Sequence, residues 1–339
     1  MNSGQIRLNP VTQEWVIYAP ARRKRPQDFR QPEQQEDAPE EDPNCPFCPI
    51  NNETLEPRII EIANATHTGW QTRVVPNKFP ILTPEHSTMR CTKGMYIAMQ
   101  GYGTHDVIIE SPKHNETPAT MPLEALEIVI ETYHQRYLEL MATNTNMMVI
   151  LFRNHGKKAG ASLRHPHSQI IGTGIVPQHF RWQEQEAQRY YDKWANCLYC
   201  DILKHELDEG DRIVLENHSF VALVPYAADV PFETWIMPKR HQGDFGSISE
   251  DEKGDFAAIL QQMLRKLYFK LNNPDYNYVI NTAARYRAEE PQVHWYCQIK
   301  PRFTTPAGFE IAAGININPS IPELDAAFLR GDDSVNSNQ

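Results

Sequence analysis

Apolar and polar positions along this chain follow two different periods, and the period decides the element. Two stretches carry apolar residues at helical spacing. In 123–141, Leu123, Leu126, Val129, Ile130 and Tyr133 fall on one stripe, and in 256–271 the spacing recurs at Phe256, Ile259, Met263, Leu267 and Leu271. Each stretch predicts a helix with one core-facing side. Shorter runs predict strands at 14–18, 106–110, 147–152, 167–171, 220–224, 233–237, 276–280 and 294–299. The acidic, proline-containing stretch 31–43 has no apolar period and predicts an exposed loop, and the tail 331–339 reads as flexible for the same reason.

The two halves of the pattern repeat each other. The first half runs Cys45-x-x-Cys48, then Arg73-Val74-Val75-Pro76-Asn77, then Ser111-Pro112-Lys113-His114, a long helix, and His165-Pro166-His167-Ser168-Gln169. The second runs Cys197-x-x-Cys200, then Arg212 to Asn217, then Met237-Pro238-Lys239-Arg240-His241, a long helix, and His294-Trp295-Tyr296-Cys297-Gln298. An offset of 129 residues relates both His165 to His294 and Gln169 to Gln298. The order predicts a duplicated α+β unit. His167 stands where the second copy has Tyr296, so His167 is the candidate for chemistry unique to one copy.

Composition narrows the class. With 339 residues, 40% of them hydrophobic, the chain can build two ordinary domains or one duplicated domain. A net charge of −10 argues against nucleic acid or a membrane surface as the partner. The local cluster Arg22-Arg23-Lys24-Arg25 suits either a small anionic ligand or a solvated turn. The first 15 residues lack the apolar core of a signal peptide, and no run approaches a membrane span, so a cytoplasmic protein with reduced thiols is expected.

In that setting the paired CxxC motifs point to metal or redox chemistry. Each copy offers two thiols and two imidazoles: Cys45, Cys48, His114 and His165, then Cys197, Cys200, His241 and His294. That donor set suits a closed, structural zinc site; the alternative is unrelated buried thiols and histidines.

In an extended segment His165, His167 and Gln169 share a face. With His165 given to metal, His167 is free to act as a neutral imidazole nucleophile toward phosphorus, and Gln169 can donate an amide N–H to a phosphate oxygen. Upstream, the Gly/Ala-rich run from Asn154 to Ser162 suits a loop whose backbone N–H groups approach a diphosphate. A buried strand with satisfied histidines is the competing reading of the same run.

The run Asn154 … Gly160-Ala161-Ser162 … His165-Pro166-His167-Ser168-Gln169 closely resembles the active-site segment of galactose-1-phosphate uridylyltransferases, a branch of the histidine triad superfamily. The likeness extends to Ala21-Arg22-Arg23-Lys24-Arg25-Pro26, Asn77-x-Phe79, Ser111-Pro112-Lys113-His114 and Gly308-Phe309-Glu310. It implies two histidine-triad-like units, 1–178 and 179–330, each a mostly antiparallel sheet with a packed long helix. It further implies ping-pong transfer of UMP from UDP-glucose to galactose 1-phosphate through His167. Gln169, Asn154 and Ser162 would then contact phosphate and Arg22 and Arg25 the sugar phosphate. Asn77 would serve the nucleoside, Phe309 and Glu310 the sugar, and the protein would be a homodimer. Lys78 stands where the family often has Asp, and Phe309 where it often has Tyr. The second CxxC is similar to that of plant ADP-glucose phosphorylases. An adenylyl-transferring enzyme using the same histidine, or a non-catalytic zinc-stabilised nucleotide-binding protein, are the alternatives.

Overall fold

The computed structural model describes residues 4–19, 24–31, 38–55 and 57–332. Arg22, part of the acidic loop and residues 333–339 of the tail lie outside them. The chain opens with β1 (Gln5–Leu8) and β2 (Trp15–Tyr18), then β3 (Ile60–Ala63) and β4 (Trp70–Pro76). A hairpin of β5 (Arg90–Lys93) and β6 (Tyr96–Met99) precedes β7 (Gly103–Ile109), the helix α1 (Leu123–Ala142), β8 (Met148–His155) and β9 (His167–Thr173). Helices α2 (Gln178–Trp194) and α3 (Leu198–Glu209) lead to β10 (Ile213–Glu216), β11 (Phe220–Leu223) and β12 (Thr234–Pro238). After them come α4 (Glu250–Leu271), β13 (Tyr276–Asn281) and β14 (Tyr296–Pro301), and the short α5 (Gly308–Ala313), β15 (Asn316–Asn318) and α6 (Pro322–Arg330).

Ten strands make one sheet, in the order β10-β11-β12-β14-β13-β8-β9-β7-β4-β3. Outward from the central pair, β8-β9-β7-β4-β3 mirrors β13-β14-β12-β11-β10, and every neighbouring pair is antiparallel. The sequence repeat is therefore a repeat in space, with α1 joining β7 to β8 and α4 joining β12 to β13. One alignment needs correcting. Arg73–Asn77 belongs largely to β4, whose counterpart in sheet order is β11, whereas Arg212–Asn217 spans β10. Pairing of β8 with β13, from Tyr276↔His155 to Ile280↔Leu151, covers the edge that each half would otherwise expose.

Strand alternation sorts the two faces. Val149, Leu151, Ile170, Tyr278, Ile280 and Cys297 point into a core shared with α1 and α4. Helix α1 buries Leu126, Val129, Ile130 and Tyr133 there, as its period predicts. Helix α4 starts at Ser249, whose hydroxyl accepts from Glu252 N while the Glu252 carboxylate accepts from Ser249 N. It ends at Asn272, a left-handed residue.

The opposite face is covered differently in each half. Over the second half Ala187 of α2 and Leu198 and Tyr199 of α3 pack on Trp235 and Tyr296. Over the first, Cys45, Phe47, Cys48 and Leu55 pack on Val107 and Ile109. Among the described residues no helix is long and apolar enough to cross a membrane.

Candidate active site

Two Cys2His2 quartets form, one per half. The ligand atoms of Cys45, Cys48, His114 and His165 lie within 4.8 Å of one another, as do those of Cys197, Cys200, His241 and His294. Both histidines of the first quartet turn Nδ1 toward Cys48 Sγ, at 3.5 Å for His114 and 3.6 Å for His165. His165 Nε2 donates to the Ser111 carbonyl at 2.7 Å, and His294 Nε2 donates to the Pro238 carbonyl at 3.1 Å. Such outer bonds fix the tautomer so that the Nδ1 lone pair faces inward, the arrangement a metal-ligating histidine needs. Burial pushes the Cys45 thiol up to about 11, so a thiolate there requires a compensating cation. In the second quartet the hydrogen bond from Cys200 lowers the Cys197 thiol against the effect of burial. The donor set and its fixed tautomers fit a thiophilic divalent cation.

His167 opens β9, directly after the first quartet. Its Nδ1 donates to the His165 carbonyl at 2.8 Å, leaving the Nε2 lone pair unprotonated. Burial lowers its pKa from the usual histidine range, and the nearby Arg153 guanidinium adds to this, while the bond to the His165 carbonyl works the other way. Phe47 presents its ring to His167 at 5.4 Å between centroids. His167 is 6% exposed.

A buried polar network lies behind this strand. Arg153 pairs with Glu110, and its Nη1 also donates to the His167 carbonyl at 3.2 Å. Glu110 accepts hydroxyls from Tyr133 and Ser168, and Tyr278 from the second half donates to the Tyr133 oxygen at 2.7 Å. The ion pair thus ties the strand carrying His167 to α1 and to the other unit.

The register places Gln169 between Val107 of β7 and Phe152 of β8, so Gln169, His167 and Asn154 share one face. Asn154 Oδ1 accepts from Asn277 Nδ2, which also reaches the Ala159 carbonyl, both at 2.8 Å. The same loop depends on Gly156, at φ 82°, where an added Cβ would lie 2.2 Å from the Asp275 carboxylate. Ser162 is exposed at the loop's end. Asn77 follows β4; its Oδ1 accepts from Phe79 N at 2.9 Å. Lys78 is exposed, with its ammonium 5.9 Å from the Phe79 ring centre.

Other expected residues lie apart. Arg25 is exposed, before a short turn at Pro26–Phe29. Phe309 and Glu310 sit on α5, which leads into β15 of a separate three-stranded sheet, β1-β2-β15. Glu310 spends its carboxylate on Ala307 N and Ile317 N. Among the described residues no hydrogen bond joins these side chains to His167 or Gln169. The sequence reading missed His105, whose Nε2 lies 2.8 Å from Gln169 Oε1. Its period-two spacing with Val107 and Ile109 is the one signal that places it on the His167 face.

Two family models match the chain: "Galactose-1-phosphate uridyl transferase, N-terminal domain" over residues 1–177 and the corresponding "C-terminal domain" over residues 183–305. The chain belongs to the galactose-1-phosphate uridyl transferase family. Membership places it among the nucleotidyltransferases of carbohydrate metabolism, within the histidine triad superfamily. An ADP-glucose phosphorylase of Arabidopsis thaliana is 32% identical over 97% of this chain and 93% of its own length. A galactose-1-phosphate uridylyltransferase of Thermotoga maritima is 29% identical over 96% and 98%. In solved structures, an Arabidopsis thaliana ADP-glucose phosphorylase with bound ADP-glucose matches at TM-score 0.82 and 30% identity, covering 97% of this chain and 98% of that one. A uridylyltransferase matches at TM-score 0.73 and 25% identity, covering 96% and 97%.

Proposed function

We propose that this protein transfers a nucleotidyl group from a nucleotide-sugar through a covalent bond to His167, with ADP-glucose as the donor. His167 Nε2 attacks the α-phosphorus; the bond from that phosphorus to the bridging oxygen breaks, and its electron pair leaves with glucose 1-phosphate. An oxygen of the acceptor, inorganic phosphate or a sugar 1-phosphate, then attacks the same phosphorus, and the P–N electrons return to the imidazole. Both leaving groups are weakly basic, so positioning and charge neutralisation do most of the catalysis. The His165 carbonyl holds the Nδ1 proton as positive charge develops on the ring, and the NH2 group of Gln169 serves a non-bridging oxygen. Asn154 and Ser162 are assigned to phosphate, and Asn77 to the nucleoside.

The observation that carries the mechanism is a buried imidazole with Nδ1 bonded to a carbonyl and, among the described residues, no hydrogen-bond partner at Nε2. The choice of adenine is supported by the higher similarity to the ADP-glucose phosphorylase, in sequence and in fold. UDP-glucose with galactose 1-phosphate, the pair implied by the family resemblance, receives less support. Exchange of labelled glucose 1-phosphate into each nucleotide-sugar, with no other acceptor present, separates the two. Faster exchange into ADP-glucose is expected; exchange confined to UDP-glucose restores the uridylyl assignment.

We assign zinc to both quartets, as closed sites that pin loop to strand. Elemental analysis of purified protein should give two zinc ions per chain, and one or none contradicts the assignment. Cys45→Ser should lower the yield of folded protein, because metal binding and folding are coupled.

A homodimer is proposed on the hairpin β5–β6, whose strands, among the described residues, pair only with each other. A lone two-stranded ribbon is marginal in water, yet this one exposes Met95 at 85%, Tyr96 at 72% and Ile97 at 70%. A second copy covering that surface, and completing its neighbour's site with Arg25, Phe309 and Glu310, accounts for both features. Tyr96→Lys with Ile97→Lys should convert a dimer to a monomer in sedimentation analysis. A dimer that survives the change places the contact elsewhere.

A further inference from the structure

A glutamine carboxamide has a donor end and an acceptor end, and a half-turn about its last bond exchanges them. Only the NH2 end of Gln169 can serve a phosphate oxygen. The backbone N–H of Ile81 points at His105 Nδ1, 3.2 Å away. A backbone amide only donates, so Nδ1 accepts, and the proton of the neutral ring sits on Nε2. That N–H meets Gln169 Oε1 at 2.8 Å, which engages the oxygen and leaves the NH2 end available. Asn77 Nδ2 lies 3.1 Å from the same ring nitrogen, but its own Oδ1 is held by Phe79 N–H. Its NH2 group therefore cannot accept the ring proton and makes no hydrogen bond with it, which leaves Gln169 Oε1 as the acceptor.

The second half carries the opposite setting. Trp235 is the cross-strand partner of Gln298, as Val107 is of Gln169. Two residues before these partners stand Glu233 and His105. Glu233 Oε1 accepts from Gln298 Nε2 at 2.6 Å, so in that half the NH2 end is turned toward a carboxylate. The half with a histidine at the nucleophile position has a donor facing its glutamine, and the half with Tyr296 has an acceptor.

We propose that His105 is a positioning residue: braced by Ile81 N–H, it holds the Gln169 carboxamide with its NH2 end toward the α-phosphate, and so links that orientation to segment 77–81. This rests on the nucleotidyl-transfer reading of His167 and Gln169. The test is the single-turnover rate of nucleotidyl-enzyme formation from ADP-glucose, with wild-type Gln169 and with Gln169→Ala. His105→Gln keeps a donor near the Nε2 position and should stay within about threefold of wild type. His105→Ala should slow the step roughly tenfold or more with little change in KM, and His105→Glu, which imports the second half's acceptor, should slow it further. In the Gln169→Ala background all three changes should leave the rate unmoved. Equal losses in both backgrounds, or a His105→Glu variant as fast as His105→Gln, overturn the proposal while the nucleotidyl reading stands. A wild-type protein that forms no nucleotidyl-enzyme overturns that reading, and this one with it.

Discussion

His167→Asn should reduce turnover of ADP-glucose by at least about 10⁴-fold, the scale on which removal of a nucleophile acts, while fold and metal content survive. The reason is geometric. An asparagine amide reproduces the Nδ1 side of the ring and can still donate to the His165 carbonyl, but it has no atom at Nε2. His165→Asn, two residues away, should behave differently. It removes a donor from the first quartet and the bond to the Ser111 carbonyl, so metal content and stability should fall together. In the second half Tyr296→Phe should leave turnover unchanged, because α2 and α3 seal that face. Turnover, elemental analysis and circular dichroism on the same preparations separate these roles. Substantial turnover by His167→Asn contradicts covalent catalysis.

Glu110→Ala should destabilise the protein by about 3–5 kcal/mol, the usual loss when one member of a buried ion pair is removed. Glu110 is 0% and Arg153 2% exposed at the side chain, so the stranded guanidinium has no water to turn to. Tyr133 and Ser168 lose their shared acceptor at the same time. Urea denaturation measures the change. Replacing both partners by apolar residues, Glu110→Leu with Arg153→Met, should recover much of it, since no charge is then left buried. A loss below about 1 kcal/mol for Glu110→Ala would show that the pair is hydrated in solution.

The parts of this structure legible in sequence are those with a local signature. Both quartets were readable because CxxC spacing and histidine position recur at fixed intervals, and α1 and α4 because a broad apolar stripe packs on the sheet. Helix α2 was not, since the residues it buries are Gln183 and Ala187, one polar and one small, which make no apolar stripe. Strands β5 and β6 hid for the opposite reason: their residues are exposed or nearly so, which leaves no alternation to read. The role of His105 depends on register. It meets Gln169 across 64 residues of sequence, and only the pairing of β7 with β9 brings the two together. Glu310 shows another limit of a local signature: the motif offers a carboxylate, and the fold of a single chain turns it onto the N–H groups of Ala307 and Ile317. The fusion of two units into one sheet was equally hidden, since the antiparallel contact of β8 with β13 leaves no mark in either strand alone.

The central claim is that His167 carries the nucleotidyl group. Intact-mass measurement after incubation with ADP-glucose, removal of free glucose 1-phosphate and peptide mapping tests it most directly. The protein should gain the mass of one AMP moiety per chain, the adduct should map to His167, and added inorganic phosphate or sugar 1-phosphate should discharge it. An unmodified chain after incubation with ADP-glucose and with UDP-glucose, or an adduct on a residue other than His167, contradicts the account.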